Sequence, residues 1–213
     1  MQIKHLVGGA LLALIMGTIP AAAVESGSGT SKKQLYENVY GSALPPVGFI
    51  DFCSRHSEDC HPLGGRATRL DMTSKQWNFL YQVNTYVNDK IAPMSDEELY
   101  GQAERWEYPT DAGDCEDYVL LKKRYLEGLG FPPEALLITV VLDEKGEGHA
   151  VLTVTAKSGD FVLDNRRNEI LRWSDVSYRF LKRQSAEDPT RWTALTNDTP
   201  VADGNIAGGA RGK

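Results

Sequence analysis

Beyond residue 20 the chain has no hydrophobic run near the roughly 20 apolar residues a membrane-spanning helix needs, which argues against an integral membrane protein. Basic residues are the minority, 23 Lys and Arg against 29 Asp and Glu, and they form no stripe, so a nucleic-acid partner is disfavoured. No internal repeat is found, and neither an EF-hand loop nor a standard zinc-module spacing occurs. Cysteine is scarce, and its count of three is odd.

What is present begins with an export signal. Lys4 and His5 form a weak positive start, Leu6 to Ile19 an apolar stretch, Pro20 a break, and Ala21-Ala22-Ala23 a small-residue cleavage site. The expected organisation is residues 1–23 as a signal peptide, 24–198 as one domain, and 199–213 as a disordered tail. The mature chain is then periplasmic and does not span the membrane.

An oxidising compartment favours a disulfide between Cys53 and Cys60 across a short loop. The competing reading is a metal site built from Cys53, His56, Cys60 and His61. If the disulfide forms, Cys115 is the cysteine left over, and catalysis gives it a reason to remain a thiol.

Periodicity predicts an α+β fold, helices first and then an antiparallel sheet packed on a central helix. Residues 45–65 read as a loop-rich region. Thr73 or Ser74 caps a helix to about Ile91, with Trp77, Leu80, Tyr81, Val87 and Ile91 as its buried stripe. Ser95 and Glu98 form a capping box. A further helix opens at Asp114 or Cys115 and ends near Gly128 and Gly130. Strands follow at Leu136–Leu142, His149–Thr155 and Phe161–Asp164, with more sheet at Trp173 and Tyr178–Leu181.

Cys115 at a helix start, then His149 and Asp164 on strands, is the chain order of papain-like and transglutaminase-like thiol enzymes. A thiol is a nucleophile as thiolate, and the positive end of a helix favours that anion. A histidine base oriented by a carboxylate completes acyl-transfer machinery. Taken singly, each residue has a plainer explanation: a core cysteine, a satisfied strand-end histidine, a turn-forming aspartate. Alternation puts His149 and Asp164 on one face. A two-residue turn at Ser158-Gly159, however, sets Asp164 opposite Thr153, about 13 Å along the strand from His149.

Gly113-Asp114-Cys115-Glu116-Asp117-Tyr118, Gly148-His149-Ala150-Val151-Leu152 and Val162-Leu163-Asp164-Asn165 closely resemble the bacterial transglutaminase-like cysteine peptidases, including their LapG type. The resemblance spans roughly residues 70 to 175. It implies a papain/transglutaminase-like fold, with Cys115 as nucleophile, His149 as general base then acid, and Asp164 as orienting carboxylate. The backbone N–H of Cys115 is the implied oxyanion donor.

The resemblance further implies calcium held by Asp114 and Glu116. Carboxylate oxygens suit a hard cation that takes six to eight of them, so Asp117 or Asp111 would add ligands, and no organic cofactor is expected. The plainer role of these acids is to complement the helix dipole. The implied partners are a protein substrate such as a surface adhesin and a sequestering inner-membrane receptor. The function expected is an exported cysteine endopeptidase. The alternatives are transglutaminase-type acyl transfer to amines and a non-catalytic binding module on the same fold.

Overall fold

The computed structural model describes residues 1–2, 34–62 and 69–197. The expected signal peptide and the tail from residue 199 lie outside the described residues. By its contacts the chain divides into Met1–Lys32 and Lys33–Lys213, and the fold described here belongs to the second unit.

Four α-helices precede most of the sheet: α1 (Val47–Arg55), α2 (Ser74–Lys90), α3 (Asp96–Tyr100) and α4 (Cys115–Gly128). Thr73 caps α2 through a capping box, accepting from the Gln76 N–H at 3.2 Å while Gln76 Oε1 accepts from the Thr73 N–H at 3.0 Å. The buried stripe of α2 is Leu80, Val83, Asn84 and Val87, with Ile91 just beyond. Tyr81, expected in that stripe, is exposed, because one residue past Leu80 turns its side chain about 100° off the packed face. The Ser95 capping box forms as expected, with Glu98 Oε2 reaching back to the Ser95 N–H.

The region from residue 45 is not all loop. α1 forms there and buries Phe49 and Phe52, three residues apart on one face, Phe49 against Trp106 and Trp192 and Phe52 against Tyr108. It was hidden because its N-cap Pro46 supplies no side-chain hydrogen bond and Val47 and Ile50 stay exposed. Gly48 lets α1 approach this closely, since a Cβ there would lie 2.4 Å from Trp106 Cδ1.

The main sheet has seven strands in the order β1-β9-β8-β4-β5-β6-β7, every pair antiparallel. They are β1 (Gly41–Ala43), β4 (Leu136–Leu142), β5 (Gly148–Ala156), β6 (Gly159–Asp164), β7 (Arg167–Arg172), β8 (Arg179–Gln184) and β9 (Trp192–Ala194). A two-stranded parallel pair, β2 (Ala92–Pro93) and β3 (Ala112–Gly113), leads into α4.

Alternation divides the sheet into two faces. Ile138, Val140, Ala150, Leu152, Val154 and Leu163 join the helices in the larger core. Val141, Val151, Val162, Tyr178 and Phe180 form a second core on the opposite face. The N-terminal segment is tied down by a buried ion pair, with Arg183 Nη1 2.7 Å from Glu37 Oε2.

Cys53 and Cys60 are joined as a disulfide with Cα atoms 5.5 Å apart, which replaces the proposed four-residue metal site. His56 Nε2 instead meets Glu107 Oε1 at 2.7 Å. Mass spectrometry without reduction should therefore show one Cys53–Cys60 bridge and a thiol at Cys115. Stoichiometric zinc with thiols at both positions would contradict this. Reduction should cost about 2 kcal/mol for so short a loop.

Candidate active site

The β5–β6 hairpin decides where two of the candidate residues stand. Its two-residue turn is Lys157-Ser158, one position earlier than expected, because Ala156 pairs with Gly159, whose φ of 136° suits glycine. Leu152 pairs with Leu163, so by continuation Asp164 stands opposite Val151, two residues from His149 rather than four. A register shift between Val162 and Asp164, on the β7 side, bends the strand end. His149 Nε2 and Asp164 Oδ1 are consequently 2.9 Å apart, with both residues buried.

Asp164 is held on every side. Its Oδ1 also accepts from the Arg166 N–H at 3.0 Å, and its Oδ2 accepts from the Tyr178 hydroxyl at 2.6 Å. Arg167 Nε lies 3.3 Å from Oδ2, and Asn88 Nδ2 donates to the backbone carbonyl at 3.0 Å. Burial alone would raise its pKa, but the hydrogen bond and charge pairing with His149 and the Tyr178 hydroxyl hold it well below the usual carboxylate range. The Tyr178 ring also stands edge-on to His149, 5.6 Å between centroids. Of the two ring nitrogens of His149, Nε2 is the one that faces Asp164.

Cys115 is the first residue of α4, after the N-cap Asp114. It is 8 % exposed and lines a cavity of about 220 Å³ together with His149, Gly148, Gly113, Pro93 and Met94. Its thiol donates to Glu116 Oε2 at 3.2 Å. Burial and then the Asp114 charge push the thiol up to about 12, opposed by the Glu116 bond and the Ala150 N–H.

The acids beside the thiol form a buried cluster. Carboxylate oxygens of Asp96, Asp114 and Glu116 all lie within 4.8 Å of one another. Neither oxygen of Asp114 meets an N–H or O–H donor of the protein frame, and one oxygen each of Asp96, Glu104, Glu116 and Asp117 is likewise without a donor. The groups nearest to satisfying Asp114 are the neighbouring Glu116 carboxyl, by sharing a proton, and the Asp96 backbone N–H. Burial, then Asp96 and Glu104, push Asp114 up to about 7. Burial, then Asp114 and Asp96, take Asp117 to about 8.

Four buried acids and the half-buried Glu104, all with orphaned oxygens, are costly without compensation. Hard oxygen donors in this number fit a divalent cation such as calcium. Asp114, Glu116 and Asp96 would hold it, with Asp117 and Glu104 beside them.

Asp111, offered above as a ligand, is exposed on β3's approach and contributes its backbone carbonyl to the Ala92 N–H. Sequence reasoning missed Asp96, Glu104 and Tyr178. Asp96 was visible only as a first-turn acid after Ser95. Tyr178 is brought in by a strand three places away in the sheet. Gly113, by contrast, is explained: a Cβ there would lie 2.6 Å from Asp117 Oδ2.

A model of the family described as bacterial transglutaminase-like cysteine proteinase matches residues 39–200. Among solved structures, Legionella pneumophila LapG is similar at 25% identity, over 60% of this chain and 74% of that one, with a TM-score of 0.48. Its calcium-bound form gives 25% identity over 61% and 75%, again at 0.48. Its EGTA-treated form gives 26% over 58% and 70%, also at 0.48. No curated protein matches.

Proposed function

This chain belongs to the bacterial transglutaminase-like cysteine proteinases, and we propose that it is an exported endopeptidase working through Cys115, His149 and Asp164. The observation that carries the reading is one cavity lined by both Cys115 and His149, with His149 fixed from behind by Asp164 at 2.9 Å.

In this reading Asp164 anchors Nε2, so Nδ1 takes the Cys115 proton. The thiolate attacks the scissile carbonyl, and the developing oxyanion lies at the Cys115 N–H at the start of α4. The imidazolium then gives its proton to the leaving amine. Water, deprotonated by the same imidazole, resolves the thioester and regenerates the thiol.

Residues Asp114, Glu116 and Asp96 would hold calcium. Bound there, the ion would supply positive charge that offsets the carboxylates opposing thiolate formation.

A peptidase implies a protein substrate, and export places it in the periplasm or at the cell surface. Among the described residues no helix is long and apolar enough to cross a membrane. The test is incubation of the purified protein with casein and a labelled amine, with and without calcium. Calcium-dependent cleavage is expected. Amine incorporation without cleavage would make it a transglutaminase, and inertness a binding module. Mapping new N-termini on cell-surface proteins, with and without the enzyme, tests the expected adhesin substrate. Co-purification from the inner membrane tests the expected receptor.

A further inference from the structure

The loop closed by the Cys53–Cys60 disulfide carries a second set of metal-ligating side chains, none of them among the acids beside Cys115. One ligand atom each from His56, Glu58 and Asp59 lies within 4.8 Å of the other two. The 3₁₀ turn Ser57–Asp59 folds them together, with the Asp59 N–H donating to the His56 carbonyl at 3.0 Å. The disulfide holds the two ends of this loop 5.5 Å apart at Cα.

The His56 ring is fixed on three sides. It stacks on Phe52 with 4.6 Å between centroids and meets the Tyr108 ring edge-on at 5.4 Å. Its Nε2 lies 2.7 Å from Glu107 Oε1. That carboxyl also pairs with the Arg55 guanidinium, accepts from the Tyr108 N–H at 3.1 Å and has Arg105 Nη2 at 3.5 Å. Flanked by two guanidinium cations it is a carboxylate, which can only accept, so Nε2 carries a proton. In the neutral ring the lone pair then falls on Nδ1. A ring nitrogen donating to a carboxylate while the other faces outward is how metal-ligating imidazoles are oriented.

His56 Nδ1 stands 3.9 Å from Glu58 Oε1. That is too far for a hydrogen bond, and two electron-rich atoms facing each other gain nothing without positive charge between them. Ligand atoms about 2.0–2.2 Å from one tetrahedral ion stand about 3.4 Å from each other, so a swing of about 0.5 Å closes this pair on a cation. Glu58 is free to make it, because its side chain is 73 % exposed. Asp59 is steadied from behind as His56 is, its Oδ2 accepting from the Tyr108 hydroxyl at 2.9 Å, which leaves Oδ1. His61 lines the same cavity as Glu58 and Asp59 and offers a fourth ligand.

We propose that His56 Nδ1, Glu58 and Asp59, with His61 in the fourth position, form a structural site for zinc or a transition metal of its class, built on the intact disulfide. Imidazole with carboxylate ligands suits such an ion, whereas calcium takes six to eight oxygens. Neither sulfur is a ligand, since both are spent in the bridge. The ion ties the disulfide loop to Glu107, whose backbone N–H donates to Asp117 Oδ1 at 2.8 Å. It therefore braces the segment that leads to the acid cluster.

The test is zinc titration of the metal-free full chain carrying Cys115→Ala, which removes the catalytic thiol as a competing ligand, with calcium in excess. One zinc ion per chain should bind, and the melting temperature should rise by about 5–10 °C at some hundredfold above the dissociation constant. Cobalt in its place should give the visible bands of a tetrahedral site without the near-ultraviolet band of thiolate ligation, and thiol titration should find Cys53 and Cys60 still bridged. His56→Ala should abolish binding. Glu58→Ala, which removes an exposed side chain and so keeps the fold, should weaken it at least about tenfold, and Glu107→Gln by about 10- to 100-fold.

No zinc uptake, or uptake undiminished in Glu58→Ala, overturns the proposal. So does a thiolate band or the appearance of thiols at Cys53 and Cys60, which would mean that the cysteines bind the metal. Catalysis plays no part in these measurements, so their outcome is separate from the roles assigned to Cys115, His149 and Asp164.

Discussion

Cys115→Ala should abolish peptide hydrolysis, by at least about 10⁴-fold, and leave the fold intact. The side chain removed is small and the helix it begins is held by Tyr118, Leu121 and Leu126 in the core, so melting should change little. His149→Ala should lose as much, because nucleophile and base act as one unit and the second loss adds little to the first. Asp164→Asn should lose less, since an amide oxygen can still accept from Nε2. It should also melt lower, because its NH₂ would then face the Tyr178 hydroxyl and Arg167 Nε, both set as donors to Oδ2. Native-state iodoacetamide labelling confined to Cys115 checks the nucleophile without a substrate. Labelling elsewhere, or near-wild-type activity in His149→Ala, would contradict the assignment.

Calcium should raise the melting temperature by about 5–10 °C at pH 8 when present at some hundredfold above its dissociation constant, and by far less at pH 5. The sign comes from the acid cluster. Asp114 and Asp117 have pKa values raised by burial, to about 7 and about 8, with neighbouring acids adding to it. An acid whose folded pKa exceeds its unfolded one costs stability as pH climbs from the unfolded value, and the cost is complete above the folded value. Between about pH 4 and pH 8 the ion-free fold should therefore weaken, and a cation should restore it. Asp114→Asn/Glu116→Gln should be more stable than wild type at pH 8 without calcium, and should lose the response to it. A melting temperature indifferent to calcium and EGTA at both pH values would remove the metal from the site.

How much of this was legible in the chain differs by residue. Cys115 was readable because a glycine, a helix start and a flanking acid pair are local signals, and the clash of a Gly113 Cβ with Asp117 gives that glycine its reason. The strands carrying His149 and Asp164 were readable from alternation. Their pairing was not, because sequence cannot tell a Lys157-Ser158 turn from a Ser158-Gly159 turn, and that single step moves Asp164 by two residues relative to His149. Tyr178, Asp96 and Glu104 arrive through contacts between distant segments and leave no periodic trace. α1 was lost because half its apolar residues face outward, so its buried Phe49 and Phe52 did not stand out as a stripe.

The β5–β6 turn has one more consequence, for how the family's chains can vary. Surface hairpin turns ordinarily absorb insertions and deletions with little harm. The Lys157-Ser158 turn sits at the far end of the hairpin from His149, yet it works as a ruler. With the turn kept at two residues, one residue added to the following strand would put Asp164 on the opposite face of the sheet, and two would slide it about 7 Å along the strand. Such a change would leave a protein that folds, forms its Cys53–Cys60 disulfide and keeps every side chain of the site, but has lost the distance between two of them. Length at this turn is therefore as much a part of the chemistry as the residues it measures.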